Sequence, residues 1–133
     1  MSSKSKSHSM RSALGKARGL GSAKDGTHHW WMQRVTAIAL IPLTIWFVSS
    51  LIALAGQGYI AFINWFSQPL NATAMVLFLA VAFHHAQLGM QVVIEDYVSS
   101  HGWRTATNLL VKFACYALAT LSIISILKIT LGA

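Results

Sequence analysis

Acidic residues, cysteine and proline are all scarce in this 133-residue sequence. Three Asp or Glu residues stand against ten Lys or Arg, and charged residues of either sign make up only 10% of the chain. The single cysteine, Cys115, excludes an internal disulfide and a thiolate-held iron–sulfur cluster within the chain. It lies in an apolar segment, which favours a role as a small hydrophobic residue. A glycine-rich nucleotide-binding fingerprint is also missing.

Apolar residues are abundant instead, and they predict the fold class. They form 55% of the sequence, and the mean hydropathy is +0.56, which is typical of membrane proteins. Three apolar segments are long enough to cross a bilayer as helices, at residues 34–55, 71–95 and 105–131. The sequence therefore predicts an all-α integral membrane domain over residues 28–133, with three transmembrane helices.

The basic residues are concentrated near the N-terminus and predict the topology. Seven of the ten Lys and Arg lie in residues 1–34, beside a membrane segment, so they indicate orientation rather than nucleic-acid binding. The loop 56–70 has no Lys or Arg, whereas the loop 96–104 carries Arg104. The positive-inside rule places the N-terminus and the loop 96–104 in the cytoplasm or the mitochondrial matrix.

Residues 1–27 are predicted to be a basic tail that is disordered or lies on anionic membrane lipid. Their Ser-rich, acid-poor composition is also similar to that of a mitochondrial presequence. We favour the cytoplasmic tail, and hence the inner membrane of a bacterium, with the mitochondrial inner membrane as the alternative.

The second apolar segment ends with a stretch in which four residues share one helical face. His85, Gly89, Val92 and Asp96 follow one another at steps of four, three and four. From His85 to Asp96 the helix rises roughly 16 Å, about half of a hydrocarbon core of ~30 Å. One face thus presents an imidazole near the middle of the membrane, a residue without a side chain, and a carboxylate at the interface.

An ionisable group at membrane depth is a functional-site candidate by default. Imidazole is a common axial ligand of haem iron, and Gly89 leaves room for a flat macrocycle beside the helix. We therefore interpret His85 as a haem ligand. The residues alone leave other interpretations open: a hydrogen bond between helices, a small transporter in which His85 and Asp96 relay protons, or a structural adaptor without a cofactor.

Together these motifs resemble a known family. His85-x-x-x-Gly89 is followed by Asp96-Tyr97 eleven and twelve residues after the histidine, and Arg34-Val-Thr-Ala-Ile stands in the first apolar segment. The pattern is similar to the D-type hydrophobic membrane anchor subunit of succinate dehydrogenase (complex II), and it spans residues 26–131.

The resemblance implies roles for individual residues. His85 would be an axial ligand of a b-type haem, with Arg34 and, more loosely, His28 beside the haem propionates. Tyr97 would donate a hydrogen bond to a ubiquinone carbonyl, and Asp96 would shape and charge that pocket. His84, about 100° around the helix from His85, is expected to pack or to support the ligand.

The resemblance also implies partners. A C-type cytochrome b anchor subunit would supply the second haem ligand, and an iron–sulfur subunit and a flavoprotein subunit would dock on the membrane pair. This chain would then be a non-catalytic subunit that does not oxidise succinate itself. The alternatives are an anchor of a fumarate reductase or of another b-haem oxidoreductase.

Overall fold

The computed structural model describes residues 12–17 and 24–132, and all its regular elements are helices. A short helix, α1 (Ala13–Ala17), precedes four longer ones. These are α2 (Lys24–Leu54), α3 (Gly58–Ser67), α4 (Pro69–Tyr97) and α5 (His101–Leu131). No β-strand occurs in these residues, so the all-α prediction is confirmed.

Three of the helices are long and apolar enough to cross a membrane. The spans are Gly26–Leu54, Pro69–Tyr97 and His101–Leu131. A helix of 29 residues is about 43 Å long, which exceeds a hydrocarbon core of ~30 Å. Each helix can therefore tilt in the membrane or extend into the interfacial region. The prediction of three transmembrane helices is confirmed, although α2 begins ten residues before the predicted start at residue 34.

The helix ends follow local sequence signals. Gly56 and Gly58 have positive φ angles of 79° and 82°, a conformation that glycine adopts without steric cost, and they turn the chain between α2 and α3. Pro69 occupies the first turn of α4, where its missing N–H costs nothing. Gly132 ends α5 in the left-handed conformation.

Helix α4 is the centre of the assembly. It packs against α2 on one side and α5 on the other, whereas α2 and α5 do not contact each other within the described residues. Its buried residues are Ala72, Met75, Gln87, Leu88 and Ile94. A residue on α4 can therefore face α2, α5 or the open side of the bundle.

Aromatic side chains pack the short helix α3 against the end of the bundle at which α2 ends. Trp65 stacks on Trp46 of α2 with ring centroids 5.5 Å apart, and the Thr130 hydroxyl of α5 lies 3.2 Å from the Phe66 carbonyl oxygen. Such ring pairs contribute about 0.5–1.5 kcal/mol beyond the area they bury. The predicted loop 56–70 thus contains a packed helix.

Much of the outer surface is apolar. Ile38, Ile52 and Leu110 are each at least 67% exposed, and no large side chain is fully buried in the described residues. An apolar surface of this extent is covered by lipid or by partner subunits in a membrane protein.

Candidate functional site

His85 of α4 and Thr36 of α2 meet in the interior of the helix pair. Thr36 comes twelve residues after the start of α2 and His85 twelve residues before the end of α4, so antiparallel packing brings them to the same depth. Thr36 Oγ1 lies 2.9 Å from His85 Nδ1, within hydrogen-bonding distance. Thr36 is 7% exposed and His85 is half-buried.

The threonine hydroxyl also bonds to its own helix. Thr36 Oγ1 lies 2.7 Å from the Met32 carbonyl oxygen and 3.2 Å from the Gln33 carbonyl oxygen. Such bonds to the preceding turn are common for threonine in apolar helices, because they satisfy the hydroxyl where water is scarce. The other ring nitrogen, His85 Nε2, makes no hydrogen bond within the described residues.

Gly89 lies one turn further along α4, against the side chain of Gln33. A Cβ built on Gly89 would be 3.5 Å from Gln33 Nε2, an ordinary van der Waals contact. Gln33 Oε1 is buried and has no hydrogen-bond partner among the described residues. The structure therefore places a polar side chain of α2 beside the space that Gly89 leaves open.

Asp96 and Tyr97 are the last two residues of α4 and both are exposed. Tyr97 is 83% exposed, and neither side chain makes a hydrogen bond or ion pair within the described residues. They lie at the end of the bundle where α2 begins. Two free polar groups at a helix end provide the chemistry that a polar ligand at the interface requires.

The predicted basic residues of α2 are separated from His85. The Arg34 guanidinium lies over the Trp30 ring, 5.2 Å from its centroid, and Arg34 is about 200° around the helix from Thr36. His28 is exposed. The structure does not bring Arg34 or His28 together with His85 in this chain alone.

His29, rather than His28, faces the bundle. It is half-buried, and it lines a cavity of about 300 Å³ with Gly26, Gln91 and Glu95. Its Nε2 is buried and has no hydrogen-bond partner in the part of the chain that the structure describes. In that cavity Gln91 Nε2 donates a hydrogen bond to Glu95 Oε1 at 2.8 Å. The sequence does not separate the two neighbouring histidines, because the choice depends on how α2 is rotated against α4.

A second polar cavity lies between α4 and α5. It measures about 270 Å³ and is lined by Gln87, Gln91, Thr105, Asn108, Leu109 and Lys112. Gln87 is 8% exposed, and Asn108 Oδ1 is buried without a hydrogen-bond partner in residues 12–17 and 24–132. Both glutamines of α4 thus line a cavity between two helices of this chain.

Thr36 is the residue that the site prediction omitted. It belongs to the Arg-Val-Thr-Ala-Ile motif, which the sequence analysis used to define the resemblance but not to assign a role. Several other hydroxyl residues of the apolar helices bond only to the preceding turn of their own helix, so a threonine in such a segment does not by itself identify a site. Its partner is 49 residues away, so only the packing of α2 on α4 identifies it.

The described residues contain no group of three or more His, Cys, Asp or Glu side chains that could hold a metal ion. Among those residues, His85 is therefore not part of a cluster of protein ligands.

Comparisons with known proteins agree on one family. A family model described as succinate dehydrogenase/fumarate reductase transmembrane subunit matches residues 8–124. The succinate dehydrogenase hydrophobic membrane anchor subunit of Rickettsia conorii is 34% identical over 109 residues, 81% of this chain and 86% of that protein. The subunit of the same name from Rickettsia felis is 38% identical over 101 residues, 75% of this chain and 83% of that protein. The subunit of that name from Paracoccus denitrificans is 31% identical over 117 residues, 88% of this chain and 90% of that protein.

Proposed function

The chain belongs to the family of succinate dehydrogenase and fumarate reductase transmembrane subunits, and we propose that it anchors a succinate:quinone oxidoreductase by binding b-type haem and part of a ubiquinone site. The observation that carries the proposal is the position of His85. It lies at the contact of two membrane-spanning helices, with Nδ1 engaged by Thr36 and Nε2 without a hydrogen-bond partner in the described residues.

The residues present fit a haem. An axial ligand must offer an unprotonated imidazole nitrogen, and the contact of Nδ1 with a hydroxyl leaves Nε2 as the nitrogen for iron. Gly89 lies one turn away on the same helix face. When bound, the haem would supply a one-electron redox centre. Arg34, together with His28 or the more buried His29, would lie toward the propionates.

The ubiquinone site is proposed at the end of α4. The exposed Tyr97 offers one phenolic donor on a rigid arm, which suits a quinone carbonyl at the interface. Asp96 adds a carboxylate next to it. Ubiquinone takes up two protons with two electrons, so its site needs contact with water, and this helix end provides it. The chain binds and orients the quinone, while electrons arrive from partner subunits.

The proposed partners follow from what this chain lacks. A six-coordinate haem needs a second axial ligand, which we assign to a C-type cytochrome b anchor subunit. An iron–sulfur subunit and a flavoprotein subunit would dock at the end of the bundle that carries Tyr97. The basic N-terminal tail and the uncharged loop 56–70 support an orientation in a bacterial inner membrane with the N-terminus in the cytoplasm.

Purification of the native complex through a tag on this chain tests the proposal. We expect flavin-bearing and iron–sulfur subunits to co-purify, and dithionite reduction to reveal b-haem bands in the visible spectrum. A complex that contains these subunits but no b-haem would refute the haem assignment while leaving the anchor role intact. Purification of this chain alone, without large soluble subunits, would refute the anchor role and favour the small transporter.

A further inference from the structure

The contact between Thr36 and His85 indicates which nitrogen of the imidazole carries the proton. A threonine hydroxyl has one proton to donate and two lone pairs that accept. Thr36 Oγ1 has three neighbours within hydrogen-bonding distance: the carbonyl oxygens of Met32 and Gln33, and His85 Nδ1. A carbonyl oxygen cannot donate a hydrogen bond, so a bond from Thr36 to either carbonyl must use the single hydroxyl proton.

The shortest of the three contacts decides where that proton goes. At 2.7 Å the Thr36–Met32 pair has the length of a good O–H···O bond. If the hydroxyl donated to His85 instead, two oxygen lone pairs would face each other at 2.7 Å with no proton between them. The arrangement that satisfies every group has Thr36 donating to Met32 and accepting from Nδ1–H of His85.

We propose that Thr36 is a positioning residue that holds His85 in its Nδ1-protonated tautomer and so presents an unprotonated Nε2 to the haem iron. This inference rests on the haem site proposed above and adds to it a residue on a different helix. It assigns the Thr36 hydroxyl, which touches neither iron nor quinone, a function that acts through His85.

Two physical effects give the contact its importance. A histidine that donates its second N–H to an oxygen is fixed in orientation and becomes a stronger ligand. The oxygen here is itself a donor to a peptide carbonyl, and hydrogen bonds in such a chain polarise one another. Loss of such outer partners typically weakens metal binding about 10–100-fold. Thr36 is 7% exposed, so water cannot easily replace it.

The test uses the assembled complex with Thr36→Val, which keeps the shape of the side chain and removes the hydroxyl. Thr36→Ser keeps the hydroxyl and removes only a methyl group. The matched control is Thr120→Val in α5, where the hydroxyl makes the same kind of bond to its own helix, at 2.8 Å to the Tyr116 carbonyl, and meets no histidine. Readouts are haem content per flavin, the rate of haem transfer to apomyoglobin, and the haem midpoint potential.

In Thr36→Val we expect haem loss to be about tenfold faster or more. The midpoint potential should rise, because a weaker imidazole donor stabilises ferric iron less. Thr36→Ser and Thr120→Val should match the wild type in both measurements. If Thr36→Val fails to assemble, Thr36→Ala removes the hydroxyl without placing a methyl group against the imidazole and takes its place.

The possible failures are distinguishable. A wild-type complex without b-haem bands overturns the haem site and this inference together. A wild-type complex that contains haem, with variants lacking the hydroxyl that match it in potential and rate of loss, overturns the role of Thr36 alone. A Thr36→Ser variant that behaves like Thr36→Val overturns it too, because the methyl group and not the hydroxyl would then be responsible.

Discussion

The side chain of Gln33 lies over the backbone of Gly89, with Nε2 of the glutamine 3.5 Å from the point that a Cβ on the glycine would occupy. The space above Gly89 is thus bordered by α2. A small residue at this position can have two roles: it lets α2 and α4 approach closely, and it leaves room for a ligand. A single methyl group at this distance makes an ordinary contact, so the helix pair tolerates it.

The first prediction separates these two uses of Gly89. In Gly89→Ala we expect the complex to assemble at the wild-type level, because the added methyl group meets Gln33 without overlap. We expect its haem content per flavin to fall, because the same methyl group occupies the space proposed for the macrocycle. Gel filtration of the complex and its reduced-minus-oxidised spectrum give the two quantities.

A double variant serves as the control for Gly89→Ala. Gln33→Ala removes the α2 side chain that meets the added methyl group. The double variant Gly89→Ala/Gln33→Ala should therefore regain haem only if Gly89→Ala lowers haem content by disturbing the packing of α2 on α4. Full recovery in the double variant would contradict the proposed haem clearance.

The second prediction concerns the two adjacent histidines. His85→Ala should abolish the reduced b-haem bands, because it removes the proposed axial ligand, whose Nδ1 is held 2.9 Å from Thr36 of α2. His84 is half-buried and makes no side-chain hydrogen bond in the described residues, and it lies about 100° around the helix. His84→Ala is therefore expected to retain haem. The measurement is the pyridine haemochrome per flavin, and equal loss in both variants would contradict the assignment of His85.

The third prediction tests the end of α4. Tyr97→Phe removes one phenolic donor, and a neutral hydrogen bond contributes about 0.5–1.5 kcal/mol. The KM for ubiquinone should therefore rise about two- to tenfold, with haem content unchanged. Tyr59→Phe is the control, since Tyr59 is similarly exposed but lies on α3 at the opposite end of the bundle. An unchanged KM in Tyr97→Phe would remove Tyr97 from the quinone site.

The three long helices were predictable because an apolar run of about 20 residues has few alternatives to a membrane helix. Their exact extent was less predictable. Residues 24–33 are helical but polar, so a hydropathy argument excludes them from the span although the helix continues through them. In the same way residues 56–70 were predicted only as a loop, whereas α3 forms within them and its stacking on Trp46 depends on where α2 ends.

The depth of the site in the membrane was predictable from the sequence, but the rotation of α2 about its own axis was not. The position of His85 follows from counting residues to Asp96, and α4 carries both residues because it ends at Tyr97, two residues beyond the predicted end at residue 95. Which residue of α2 meets His85 depends on the angle at which α2 presents its face. At the observed angle Thr36, Gln33 and His29 face the bundle, whereas Arg34 points outward. The angle results from the packing of α2 on α4 along their whole length.

The last prediction concerns orientation in the membrane, and the single cysteine makes it accessible. With Cys115→Ala as background, Ser99→Cys and Gln57→Cys each introduce one thiol at an exposed position between helices, at opposite ends of the bundle. The N-terminal tail is strongly basic and the loop 56–70 carries no Lys or Arg, so the positive-inside rule places Ser99 in the cytoplasm and Gln57 outside. In intact bacterial cells a membrane-impermeant maleimide should label Gln57→Cys and leave Ser99→Cys unlabelled, and inverted vesicles should reverse the pattern. Labelling of Ser99→Cys in intact cells would place Tyr97 and the proposed quinone site on the outer face and would contradict the proposed docking of electron-supplying subunits from the cytoplasm.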